Sequence, residues 1–208
     1  MQVLETDRLA LRRAAADDAG FMYELMNDPG WLEHIGDRGI RSVDDARGYI
    51  RDRLQAQYQR LGYGLYLVEL KNPRAPVGLC GLVKRDWLDD VDLGFAFLPR
   101  FRGRGYAHEA ASATLEHARA ALGLRRIVAI TSPANRASIR VLERLGMRLE
   151  RRVPPGGNDR GLPVRAGVAL TAKAADAAGS RRARRRRKRR GPPIGGPPVV
   201  GWGTRIRT

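Results

Sequence analysis

Along residues 1–153 the apolar positions follow two rhythms, one of period two and one of period three to four. Leu9, Ala10 and Leu11, set between polar neighbours, predict a first strand that ends near Arg12-Arg13. Behind Asp17, the positions Phe21, Met22, Leu25 and Met26 predict a helix stopped by Asp28-Pro29-Gly30, with a loop over residues 31–41. Ser42-Val43-Asp44-Asp45 has the form of a capping box with aspartate in place of glutamate. The helix it opens aligns Ala46, Tyr49, Ile50, Leu54, Tyr58 and Leu61 on one face, as expected of a long amphipathic helix packed on a sheet. Apolar runs at residues 64–70, 77–84 and 91–98 follow, joined by turns at 71–76 and 87–90, and predict an antiparallel meander.

After the third run the period changes. Pro99 ends the strand, because proline has no N–H for a ladder hydrogen bond. Arg100-Phe101-Arg102-Gly103-Arg104-Gly105 forms a basic, glycine-rich turn. Ala107, Ala110, Ala111, Leu115, Ala118 and Leu122 then recur at helical spacing, and residues 126–131 form another apolar run. Strand, helix and strand in succession predict a parallel pair with a right-handed crossover. Asn135 leads into a helix with Ile139, Leu142 and Leu145 inward and Gly146 as its stop, and residues 147–153 alternate as a further strand. The expected class is α/β: a mixed sheet, an antiparallel meander followed by a parallel pair, with flanking helices. A final strand is expected at 164–170 and a transient helix at 172–178. The predicted domain is 1–170, followed by a tail, 171–208, read as disordered.

Charge changes the picture mainly in that tail. The net charge is +17 over 208 residues, and residues 171–208 carry twelve Lys/Arg against Asp176 alone. Nine of the ten residues 181–190 are basic. Such a run predicts salt-dependent, sequence-independent contact with nucleic acid phosphates. Arginine outnumbers lysine 35 to 4, a skew that GC-rich coding produces. Two readings of the sequence past about Pro154 stand open, a genuine appendage and an out-of-frame translation of the gene. The single cysteine, Cys80, excludes an intrachain disulfide and sits in an apolar run, as a buried thiol does. The first residues lack a basic stretch followed by an apolar one, and no apolar run reaches bilayer length, so the expected location is cytoplasmic, with no membrane partner. Nothing in the pattern assigns an oligomeric state.

The candidate chemistry lies at residues 92–109. A strand, a glycine-rich basic turn and a helix start make an anion site, because the first N–H groups of a helix are unpaired and its dipole favours negative charge. The donors would be the backbone N–H groups of residues 102–107. His34, His108 and His117 are scattered, with no metal-ligand or triad spacing, and no metal is expected.

In this order and spacing the motifs resemble the GNAT superfamily of acetyl-CoA-dependent N-acetyltransferases. The residues that carry the resemblance are Thr6-Asp7-Arg8-Leu9 with Leu11-Arg12, then Arg100-x-x-Gly103-x-Gly105-Tyr106-Ala107-x-Glu109, then Asn135-x-x-Ser138-x-x-Val141-Leu142-Glu143-x-Leu145-Gly146. They resemble most the branch that includes the ribosomal-protein N-terminal (alanine/serine) acetyltransferases. The resemblance implies acetyl-CoA as co-substrate, a primary amine of a protein N-terminus or small molecule as acceptor, and direct attack in a ternary complex. It implies two parallel strands that splay to admit the pantetheine arm, whose amides pair with the strand backbone at Phe97 and Leu98. Arg100, Arg102, Gly103, Arg104, Gly105, Tyr106 and Ala107 would serve the phosphates, and Asn135 the pantetheine. Ser138 would lie near the cofactor sulfur. Asp92, two residues before Gly94, is the candidate base, and a strand residue with an ordinary hydrogen bond is its alternative. Trp31 and His34 would face the acceptor. The competing function is a nucleic-acid- or ribosome-associated protein that uses the basic tail on this scaffold.

Overall fold

The structure is a computed structural model, and it describes residues 1–153, 158–159, 162–163 and 167–172. Eight strands form one sheet in the order β1 (Gln2–Glu5), β2 (Leu9–Arg12), β3 (Leu65–Lys71), β4 (Arg74–Val83), β5 (Val91–Phe97), β6 (Ile127–Thr131), β10 (Gly167–Ala172) and β7 (Arg148–Val153). The short β8 (Asn158–Asp159) and β9 (Leu162–Pro163) pair with each other. Every neighbouring pair in the large sheet is antiparallel except β5 and β6. The helices are α1 (Ala19–Met26), α2 (Pro29–His34), α3 (Val43–Tyr49), α4 (Ala56–Leu61), α5 (Tyr106–Ala120) and α6 (Arg136–Arg144). None of the described helices is long and apolar enough to cross a membrane.

The meander and the parallel pair stand where the apolar pattern puts them. Leu67, Leu79, Leu82 and Leu93 are essentially inaccessible, and α5 packs across β1, β2, β4 and β5 through Ala110, Ala111, Leu115 and Ala118. The capping box at Ser42 is realised: its hydroxyl accepts from the Asp45 N–H at 3.1 Å, and Asp45 accepts from the Ser42 N–H at 2.9 Å. The helix it starts runs through to Leu61, but residues Ile50–Gln55 adopt the wider π turn between α3 and α4. Gly62 ends it in the left-handed conformation, with φ +78°.

Four expectations are corrected. The strand β1 precedes the expected first strand; it is only half-buried, so its apolar signal is reduced to Val3 and Leu4. Helix α2 replaces part of the loop expected over residues 31–41. Asp28 accepts from the Trp31 N–H at 3.2 Å as an N-cap, and Pro29 takes the first helical position, where its missing N–H costs nothing. The same Asp-Pro-Gly sequence that stops α1 therefore starts α2. The strand β4 begins at Arg74, inside the turn expected at 71–76. The last strand runs to Ala172, past the expected domain end, and inserts between β6 and β7 rather than adding at the edge. Ala172, where a helix over 172–178 is expected to start, ends β10 instead; the rest of that helix and the basic tail with its nucleic-acid role lie outside the described residues, as does most of the stretch past Pro154 read as out of frame.

Candidate functional site

Only two rungs join β5 to β6, Val91 with Ile127 and Asp92 with Val128. Beyond them the strands part, and Gly94 to Phe97 on one side and Ala129 to Thr131 on the other line a cleft of about 510 Å3. Asp92 stands at the apex of this fork, 1% exposed. Its Oδ1 accepts from the Ile130 N–H at 3.0 Å, and its Oδ2 accepts from Arg85 Nε at 2.7 Å, with Arg85 Nη2 at 2.6 Å. The carboxylate thus supplies the rung that the diverging backbone cannot make. A buried charge in this setting is held by its partners, since an unpaired one would be costly.

The far end of β5 leads through a 3-10 turn, Pro99–Phe101, into the glycine turn. Gly103 and Gly105 have φ of +75° and +82°, a region that side chains with a Cβ rarely occupy. Gly105 is the N-cap of α5, and its carbonyl receives the Glu109 N–H. The N–H groups of Tyr106, Ala107 and His108 therefore have no partner within the helix, and all three residues line the cleft. A Cβ built on Gly103 would meet no atom within 4 Å, so this turn is open to a ligand. Helix α6 presents its own start to the same cleft: Asn135 Oδ1 accepts from the Ser138 N–H at 3.0 Å, and both side chains belong to the lining.

A clasp fixes the glycine turn from outside. Glu109 accepts from the Thr6 hydroxyl at 2.6 Å, from the Arg8 N–H at 3.0 Å and from Arg8 Nε at 2.7 Å. Arg8 also donates to the Arg104 carbonyl at 3.1 Å and lies 4.6 Å over the Tyr106 ring. Burial alone would raise the Glu109 pKa; the Thr6 hydroxyl and the two Arg8 donors reverse that and hold it below the usual carboxylate range. Thr6, Arg8 and Glu109 carry the family resemblance in the sequence, yet only the fold shows that they meet.

The structure brings together Asp92, Phe97, Arg102, Gly103, Gly105, Tyr106, Ala107, Asn135, Ser138, Trp31 and His34 on one cleft. Arg102 reaches back from the turn, donating to the Phe97 carbonyl at 2.7 Å and pairing with Asp28 at 2.5 Å. Trp31 is 5% exposed, and its indole N–H donates to the Gly36 carbonyl at 3.1 Å. Three expected site residues fall elsewhere. Leu98 is buried and gives its N–H to the Val77 carbonyl, so it belongs to the β4 side of the sheet. Arg100 pairs with Glu24 on α1, and Arg104 is exposed; neither lines the cleft. Asp92 is likewise no free carboxylate, since both its oxygens are engaged. Cys80 is fully buried beside Thr114, and burial pushes its thiol up to about 12, which leaves it inert.

Comparison with known proteins matches this arrangement. Residues 8–148 match the acetyltransferase (GNAT) domain family. The uncharacterized N-acetyltransferase YnaD of Bacillus subtilis is 28% identical over 159 residues, 75% of this chain and 90% of its own. A GNAT-family acetyltransferase of Bacillus anthracis superposes with a TM-score of 0.68 at 25% identity, covering 84% of this chain and 99% of its own. The ribosomal L7/L12 alpha-N-protein acetyltransferase RimL, solved with coenzyme A, shares the fold with a TM-score of 0.69 at 19% identity, over 83% of this chain and 98% of its own. A fork between two parallel strands, a glycine turn at a helix start and a family match over most of the described chain agree: the protein belongs to the GNAT acetyltransferase family and is an acetyl-CoA-dependent acyltransferase.

Proposed function

We propose that the chain transfers the acetyl group of acetyl-CoA to a primary amine, held with the cofactor in a ternary complex on the two sides of β5. The observation that carries this reading is the fork itself. The backbone of β5 and β6 stops pairing above Asp92 and Val128, beside a helix start whose N–H groups face the same cleft. The residues present fit the cofactor: three unpaired N–H groups and two left-handed glycines suit a pyrophosphate, and an open strand edge suits the amides of the pantetheine arm.

Acetyl-CoA supplies an activated thioester. The protein's part is positional and electrostatic. Tyr106, Ala107 and His108 donate backbone N–H groups to phosphate oxygens, and Asn135 reaches the pantetheine. Ser138, at the start of α6, offers a hydroxyl to the departing thiolate. The acceptor nitrogen forms its bond to the acetyl carbon as the carbon–sulfur bond breaks. The amine must first lose a proton, and the structure argues for a route other than Asp92, whose oxygens hold Ile130 and Arg85. Lys84, which lines the same cleft and among the described residues is held only by the carbonyls of Leu88 and Asp89, disfavours an ammonium there and promotes release of its proton to water. Trp31 and His34 form part of the acceptor wall.

Calorimetric titration of acetyl-CoA should show one molecule bound per chain, and thiol release should follow when an amine is added. Absence of binding at millimolar acetyl-CoA would overturn the assignment.

A further inference from the structure

We propose that the acceptor side of the cleft selects amines that also carry a carboxylate, bound through Arg38 and Arg53, and rejects polycationic amines. The proposal rests on the acetyl-transfer reading above and adds the substrate class.

The first observation is the charge balance of the lining. Its acidic side chains are Asp28 and Asp92, and each is already committed, Asp28 to Arg102 and Asp92 to Arg85. Lys84 is turned to the carbonyls of Leu88 and Asp89. Arg38 and Arg53 line the same cleft, and among the described residues neither has an ion pair or a hydrogen bond to its guanidinium. The cleft therefore holds more cations than its carboxylates neutralise: Arg38 and Arg53, with Lys84 and Arg144, have no acidic partner among the described residues of the lining.

The second observation is independent of charge counting. The Nε of Arg38 is buried and has no hydrogen-bond partner among the described residues. A charged donor withdrawn from water without an acceptor is unfavourable, and a ligand carboxylate would satisfy it with a charge-assisted bond in a geometry that a guanidinium matches.

Arg53 does not belong to the phosphate end. Tyr49, Arg53 and Gln57 recur at spacings of four along one helix face and all line the cleft. Gln57 Nε2 donates to the Leu82 carbonyl at 3.0 Å, next to Val83, which pairs with Asp92. That anchor lies at the Asp92 end of β5, whereas the glycine turn follows Phe97, about 17 Å further along a strand. The π turn at Ile50–Gln55 places Arg53 in this wall. A carboxylate bound there would orient the amine of the same molecule toward the fork, while a polyamine would meet uncompensated positive charge.

The test uses matched acceptors on the full-length protein saturated with CoA. Calorimetry compares 4-aminobutyrate with butylamine, the dipeptide Ser-Glu with Ser-Lys, and spermidine; the two pairs separate a small acid from a peptide carboxylate. The expected result is at least about tenfold tighter binding of the acidic member in one pair or both, with spermidine weakest, and loss of the preference at high salt. In R38M/R53M the preference should collapse toward unity while CoA affinity stays within twofold. Should the double variant lose CoA binding, the exposed single variant R53M carries the same comparison. Equal binding within both pairs, tighter binding of the basic or neutral member, or a preference that survives in R53M and the double variant would overturn the proposal. Thiol release from acetyl-CoA is read separately. Acid-selective binding without release from any acceptor sinks the acetyl-transfer reading alone, and equal release within both pairs sinks the charge selection alone.

Discussion

On one wall of the cleft the groups offered to a ligand are backbone N–H groups of Tyr106, Ala107 and His108, uncovered by glycines at 103 and 105. On the other wall they are side chains, with Trp31, His34, Arg38 and Arg53 delivered by α2, the residues after it and a π turn. The first wall is built from local conformation. A strand stop, two residues with positive φ and a helix start lie within one short stretch, and a neighbouring clasp holds them. The second wall is assembled from residues that share no motif, and its character comes from which acids reach which bases after folding. One wall can therefore be common to a family while the other is free to differ between its members. The seam between the walls is Asp92.

That seam should be the most sensitive point. Asp92→Asn removes the charge that holds Arg85 and weakens the rung to Ile130, so it should cost about 3 kcal/mol in chemical denaturation and weaken acetyl-CoA binding with it. A catalytic base would behave otherwise, with full stability and a lowered kcat whose pH profile shifts.

A smaller effect separates strain from ligand contact on the backbone wall. Gly105→Ala and Gly123→Ala both place a Cβ at positive φ, +82° and +66°. Each should lose about 1–2 kcal/mol. Only the change at Gly105, which lies in the cleft, should lower acetyl-CoA affinity in calorimetry. Equal loss of affinity in both variants would mean that the turn acts only through global stability.

The clasp should show itself through pH. The folded-state pKa of Glu109 lies below its ordinary value of 4.5, so its contribution is present above that value and is lost as pH falls through the lowered one. The wild type should accordingly lose more stability than Glu109→Gln between neutral pH and acid below about pH 4. At neutral pH the variant should be less stable by about 1 kcal/mol. Parallel pH profiles for the two proteins would remove the clasp from the account.

The smallest effect is expected away from both walls. Cys80→Ala removes a buried sulfur and should cost about 1 kcal/mol with unchanged acetyl-CoA affinity. The native thiol should resist alkylation until the protein unfolds.

How far the site is legible differs by residue for physical reasons. Gly103, Gly105, Asn135 and Ser138 can be placed from sequence, because helix starts and left-handed turns depend on a few adjacent residues. Arg100 and Arg104 share the composition of that turn, but a long side chain follows whatever partner the fold brings, and Arg100 finds Glu24 on α1. Asp28-Pro29 reads equally as a stop and as a start. Asp92 reads as a strand polar residue or a base, and only the divergence of β5 from β6 reveals what its carboxylate completes.

The sequence alone determined the meander, the parallel pair, the glycine turn and the succession of strands and helices apart from β1 and α2, since periodicity and turn chemistry are local. Tertiary structure decided the rest: the final strand between β6 and β7, the meeting of Thr6 and Arg8 with Glu109 a hundred residues away, and the placing of Arg38 and Arg53 in the cleft without an acidic partner among the described residues. Long-range pairing of strands and charges depends on which surfaces compete for each partner, and that competition exists only once the chain has closed on itself.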